Sequence, residues 1–147
     1  MVTVYRLHSC RYQPNAPSGK EGRWNRTGEG VLYAAATVAG AMVEILVHYA
    51  AVPIGMCLSR IEIPDNVSIS DASSSLTAEW ARWAGEDQEV TRNIGSEWFK
   101  QRVSAVLIVP SFVAHGERNY LVNPLHPDFK HLVFSTPEIF HFDRRLK

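Results

Sequence analysis

The chain has 147 residues, 46% hydrophobic and 20% charged, which suits one packed domain and is too apolar for a disordered regulator. Fifteen basic and fifteen acidic side chains cancel, which argues against a broad nucleic-acid-binding surface but leaves room for a small anion held by a few arginines. The opening MVTVYRLH lacks the basic-then-apolar pattern of a signal peptide. The longest weakly polar run, residues 38–47, is interrupted by Glu44 and falls far short of the ~20 residues that cross a bilayer. A cytoplasmic protein without membrane contact is expected.

Val2, Val4 and Leu7 around Tyr5 and Arg6 predict a first short strand. Residues 9–30 then turn polar and rich in Gly, Pro and Asn, a loop long enough to suggest function, with Arg23-Trp24-Asn25 inside it. Residues 31–34 read as a second strand. Thr37 is a suitable N-cap for a helix running to about residue 50, apolar on nearly every side and therefore expected to be buried. Its non-aliphatic positions Thr37, Gly40, Glu44 and His48 gather on one stripe. Residues 56–63 alternate as a half-buried strand, and residues 67–69 suggest a short one. A brief helix is expected at 76–84 and an amphipathic one at 88–102, the latter weakened by Gly95. Residues 105–109 form an apolar run ended by Pro110, as in a strand buried on both faces. Residues 120–122 make a further strand, 126–129 a turn, and 131–142 have strand character around Pro137. The expectation is a single α+β domain over residues 1–147, with a mixed or antiparallel central sheet and flanking helices.

Glu44 is the most informative position, because a carboxylate in a buried helix is costly unless paired, neutralised or used. Arg6, Arg23 and Arg60 are its candidate partners. Arg6 stands in an otherwise apolar strand, and its fork suits carboxylates and phosphates. Tyr33 precedes three alanines that leave space for a flat group on its ring. Each of these positions, taken alone, also has an ordinary structural explanation. Ser111 lies outside any G-x-S-x-G elbow, so a serine hydrolase is rejected. Cys10 and Cys57 form no C-x-x-C pair and read as structural thiols. The scattered histidines lack metal-ligand spacing, and neither a Walker loop nor a G-x-G-x-x-G unit occurs, so no metal, kinase or Rossmann site is expected.

The ordered set of VYRL at 4–7, GRWN at 22–25, VLYAA at 31–35, MVEILVH at 42–48, VLIVPS at 106–111 and NYLVNPLHPDF at 119–129 resembles the RES domain, the toxin half of RES–Xre toxin–antitoxin pairs. The family's arginine, glutamate and serine match Arg6, Glu44 and Ser111. The resemblance implies an ADP-ribosyltransferase-like fold, NAD⁺ as substrate, inorganic phosphate as a candidate co-substrate, and an Xre-type antitoxin as partner. It further implies that Glu44 stabilises the cationic transition state, with Arg6 and Tyr33 in the catalytic set. Arg6 and Arg23 would hold the pyrophosphate, and Tyr33 would pack on the nicotinamide. Ser111 would contact substrate or orient Glu44. Asn123 joins the substrate-binding set, though with His126 it also reads as a turn-former at the pocket rim. Competing readings are a protein ADP-ribosyltransferase, a non-catalytic module in which Arg6–Glu44 is an ion pair, and an RNA-cleaving toxin disfavoured by the missing basic surplus. Trp80, Trp83 and Trp98 suit either core packing or a homodimer contact.

Overall fold

Alternation of apolar and polar residues builds most of the sheet, and its register decides where the site sits. The computed structural model describes residues 1–73 and 88–147. Within them the strands are β1 Val2–Ser9, β2 Leu32–Ala35, β3 Met56–Ile63, β4 Ile69–Asp71, β5 Val106–Pro110, β6 Arg118–Val122, β7 Val133–Phe134 and β8 Glu138–Phe140. They run in the order β4-β5-β6-β2-β1-β3-β7, with β8 also on β3. The β4–β5 pair is parallel and the other pairs are antiparallel, so the expected mixed α+β sheet is present. The helix expected at 76–84, with Trp80 and Trp83, lies outside the described residues.

Residues opposite one another in register share a face. Val4 opposite Ile61, and Leu32 opposite Val122, which is in turn opposite Val106, pack one face under Val67 and Leu132. Tyr33, Leu121 and Leu107 point to the other face, which carries both described α-helices. These are α1 Val38–Leu46 and α2 Glu89–Gln101. α2 buries Trp98 and Phe99 against Leu107, Val109 and Leu121, while α1 lays Ala41 and Leu46 over Leu7, Ala35 and Met56. Trp98 is thus a core residue, its indole N–H donating to Ser104 Oγ at 2.9 Å, and it offers nothing to a dimer contact.

Several expectations change. α1 is capped by Thr37 as expected, its Oγ1 accepting from Gly40 N at 2.9 Å. It stops at Leu46, however, where the chain tightens into bonds from His48 N to Ile45 O and from Tyr49 N to Leu46 O. Nor is α1 buried all round: among its residues only Gly40, Ala41 and Leu46 are, and Glu44 and Ile45 border a cavity. Gly95 is not a weakness in α2. A Cβ there would lie 1.7 Å from the Trp24 carbonyl oxygen, so the glycine is what lets the helix touch the long loop. Cys10 and Cys57 are joined in a disulfide, which their sequence separation of 47 concealed. Antiparallel pairing of β1 with β3 sets His8 opposite Cys57 and brings Cys10 to a Cα distance of 5.1 Å.

Two outcomes follow from this packing. Gly95→Ala gains about 1 kcal/mol of helix propensity, but forcing α2 off the Trp24 backbone costs about 3 kcal/mol or more. The urea midpoint should therefore fall, and an unchanged midpoint would refute the close approach. His8 is buried, with Nδ1 3.0 Å from Ser9 O and Nε2 2.8 Å from Ser59 Oγ. Because Ser9 O only accepts, Nδ1 carries the proton and Ser59 donates to Nε2. Desolvation lowers the imidazole's pKa, and the Arg6 charge adds to the lowering. The unfolded chain therefore binds the proton first as pH falls below about 6.5, and stability drops by at most about 1.4 kcal/mol per pH unit until the folded histidine also titrates. His8→Gln should remove this acid-side slope in denaturant titrations at pH 5–7. An identical slope in the variant would exclude His8 as its source.

Candidate active site

A cavity of about 530 Å³ opens on the helix-bearing face between α1, the loop through residues 18–24 and α2. Its size is that of a small-molecule site. Glu44 reaches it from α1, Arg23 from the loop, Tyr33 and Ala35 from β2, and Asn119 from β6.

Glu44 is half-buried, not sealed in packed side chains, and no arginine bonds to it among the described residues. Ser111 Oγ donates to its Oε1 at 2.5 Å, and Asn119 Nδ2 donates to the same oxygen at 2.9 Å. Ser111 is placed by its position just after β5. Its Oγ accepts from Val113 N and Ala114 N, so its own proton goes to Glu44. Both donors fall on Oε1, leaving Oε2 uncommitted among the described residues. The carboxylate is thereby aimed by two strands that meet at Val109 and Asn119.

Arg6 does not meet Glu44. β1 and β2 share one register pair, Tyr5 with Ala35, and then part. In the gap, Arg6 Nη1 donates to Tyr33 O at 3.0 Å, Nε to Pro14 O at 2.9 Å and Nη2 to Ala16 O at 3.4 Å. Burial pushes the guanidinium pKa down to about 10. The Arg6–Glu44 ion pair of the binding-module reading is therefore absent. Arg6 borders the cavity while pinning the start of the long loop.

The loop itself is built around Asn25. Its Nδ2 donates to the carbonyls of Lys20, Arg26 and Glu29, and its Oδ1 accepts from Tyr33 Oη at 2.5 Å. Tyr33 Oη in turn accepts from Trp24 N at 3.2 Å. Burial, the largest cause, raises the phenol's pKa above its ordinary value. With its hydroxyl committed to the loop, Tyr33 offers a ligand only its ring. Gly22 keeps this junction tight, because a Cβ there would stand 2.7 Å from Tyr33 Oη.

Arg23 leaves the loop toward the cavity, its Cζ 4.4 Å above the Phe112 ring, which in turn meets Trp24 at 6.0 Å. Desolvation lowers its pKa, while Glu44 raises it and Arg92 lowers it again. Arg23 Nη1 and Asn119 Oδ1 are the two buried side-chain polar atoms without a hydrogen-bond partner among the described residues. Both residues line this cavity. A buried donor or acceptor left unpaired costs about 1–3 kcal/mol, which an incoming ligand can recover. Arg92, also on the wall, bonds to Glu21 at 2.8 Å and donates to Gly22 O.

Asn123 is not brought to the cavity. It is wholly buried, its Nδ2 donating to Phe99 O and its Oδ1 accepting from Leu125 N, so it ties the end of α2 to the turn after β6. Its assignment to the substrate-binding set is thereby corrected. His126 caps the short 3-10 helix Pro127–His131 by accepting from Asp128 N, as a turn-former should. Asn119, Arg92 and Phe112 were missed. Asn119 had a visible signal, being an amide two residues before Leu121 and so on the apolar face of its strand. Among the described residues no group of three His, Cys, Asp or Glu could hold a metal ion, and no helix is long and apolar enough to cross a membrane.

A family model described as RES domain matches residues 3–143. The "Prs ADP-ribosylating toxin" of Sphingobium sp. (strain YBL2) is 34% identical over 128 residues, covering 85% of this chain and 80% of the relative. A "Toxin Res" of Pseudomonas putida is 39% identical over 110 residues, 72% of each chain. Another from Photorhabdus laumondii is 34% identical over 154 residues, 99% of this chain and 97% of the relative. The crystal structure of the M. tuberculosis MbcT–MbcA toxin–antitoxin complex contains a chain of the same fold, with TM-score 0.74 and 18% identity over 95% of this chain and 84% of that one. With nearly its whole length matched, the chain belongs to the RES domain family.

Proposed function

We propose that this chain is the toxin of a toxin–antitoxin pair and that it cleaves the nicotinamide–ribose bond of NAD⁺. The observation that carries this reading is a carboxylate, Glu44, aimed by Ser111 and Asn119 into the cavity that Arg23 also lines, its Nη1 without a hydrogen-bond partner among the described residues. NAD⁺ presents a pyrophosphate for a guanidinium fork and a flat ring for Tyr33. It also presents a glycosidic bond whose breaking develops oxocarbenium charge, which a nearby carboxylate stabilises.

In the step itself the bond from C1′ of the ribose to the nicotinamide nitrogen breaks. The bonding pair leaves with nicotinamide, which departs neutral and needs no general acid. Glu44 stabilises the cationic sugar with Oε2 while Ser111 and Asn119 keep its other oxygen fixed. Arg23 holds the pyrophosphate, and Arg6 adds positive charge while keeping the loop in place. The Tyr33 ring packs on the nicotinamide. Water attacking C1′ yields ADP-ribose and a proton, whereas phosphate yields ADP-ribose-1″-phosphate. The Sphingobium relative, named as an ADP-ribosylating toxin, favours a second reading, in which ADP-ribose passes from NAD⁺ to a protein acceptor. The crystallised neighbour with its antitoxin supports an antitoxin partner, which we take to be of Xre type. The cytoplasm, where NAD⁺ is abundant, is the proposed location.

Glu44→Gln should lower nicotinamide release from NAD⁺ at least ~100-fold while leaving the circular dichroism spectrum and melting temperature unchanged. Full activity in a folded variant would remove Glu44 from the reaction. Radiolabelled NAD⁺ separates the acceptors. Free ADP-ribose marks hydrolysis, a phosphate-dependent product marks phosphorolysis, and label on protein marks transfer.

A further inference from the structure

Asn119 does more at this site than hold the acid. Its amide orientation is settled by chemistry, since Glu44 Oε1 accepts and must face Nδ2. Oδ1 is then the end turned away from Glu44, and it is buried without a partner among the described residues although Asn119 lines the cavity. The residue is only 8% exposed, and its backbone is held on both sides, opposite Ala35 in β2 and Val109 in β5. An unpaired acceptor on so rigid a support suits a donor brought by the ligand. Glu44, which lines the same cavity and accepts from Nδ2, offers a second acceptor in Oε2, uncommitted among the described residues. Two acceptors carried by hydrogen-bonded residues of one cavity match two neighbouring hydroxyl groups.

Resting on the NAD⁺ reading above, we propose that Asn119 is a specificity-determining residue whose Oδ1 accepts a hydrogen bond from one hydroxyl of the nicotinamide ribose, next to the hydroxyl taken by Glu44. The site therefore selects a substrate with an intact ribose diol. Asn119 thus acts twice: its Nδ2 positions the acid, and its Oδ1 reads the sugar. An ordinary positioning residue would do only the first.

The test measures nicotinamide release by wild type, Asn119→Ala and Asn119→Asp on NAD⁺ and on two analogues, each lacking one hydroxyl of the nicotinamide ribose. Comparing ratios removes the intrinsic difference in bond lability between substrates. For one analogue, the rate penalty for losing the hydroxyl should be about 10-fold or more smaller in Asn119→Ala than in wild type. Asn119→Asp, which keeps the acceptor, should retain wild-type discrimination despite slower turnover. Equal penalties in wild type and Asn119→Ala for both analogues would overturn the assignment. Should Asn119→Ala fail to fold, Asn119→Ser enters the same comparison with the same criterion. No release of nicotinamide by wild type would defeat the NAD⁺ reading and the ribose assignment together. Release without coupling would defeat the ribose assignment alone.

Discussion

The hydrogen bonds from Ser111 and Asn119 to one oxygen of Glu44 are the constraint on which the site depends. They join α1 to the ends of β5 and β6, elements far apart in sequence, and they fix an acid to which no arginine bonds among the described residues. A carboxylate so held has one oxygen committed and one free of hydrogen bonds among the described residues. The arrangement is preorganised in the sense that matters for catalysis, because its donors need not reorient when charge develops. Pairing with β2 and β5 also gives the Asn119 side chain its rigid backing.

The opposite wall is made by a loop that behaves as a folded element. Asn25 collects three carbonyls with its amide nitrogen and receives the Tyr33 hydroxyl on its oxygen. Arg6 takes three more carbonyls where β1 and β2 part. Trp24 is buried beneath this network, against α2 at Gly95. Arg23, between Gly22 at the tight loop junction and the buried Trp24, projects toward Phe112 and the cavity. Positive charge faces the acid across space sized for a ligand.

Local features of this design were legible from the residues. The alternation over Met56–Ile63 delimits β3 at both ends, and the hydroxyl of Thr37 marks the start of α1. Helix length was overestimated because the apolar residues after Leu46 continue the pattern while the backbone tightens and leaves it. Glu44 stood out as a charge among aliphatics. Its true partners did not, because a serine and an asparagine 67 and 75 residues away become its neighbours only through sheet pairing. The same holds for Cys10 with Cys57. Arg6 shows the opposite limit: a guanidinium in an apolar strand signalled a purpose, yet nothing local revealed that the purpose includes backbone carbonyls. Asn123 was misjudged because a fully satisfied buried amide and a ligand-binding one look alike in sequence.

The central claim is that Glu44 and Arg23 face one dinucleotide across one cavity, the acid serving chemistry and the guanidinium serving binding. Calorimetric titration of NAD⁺ into Glu44→Gln, with and without Arg23→Ala added, separates the two roles directly. The account predicts measurable binding to Glu44→Gln that weakens about 10- to 100-fold when Arg23 is also removed, as expected for losing a charged hydrogen-bonding partner. Equal affinity in the two folded proteins would contradict it.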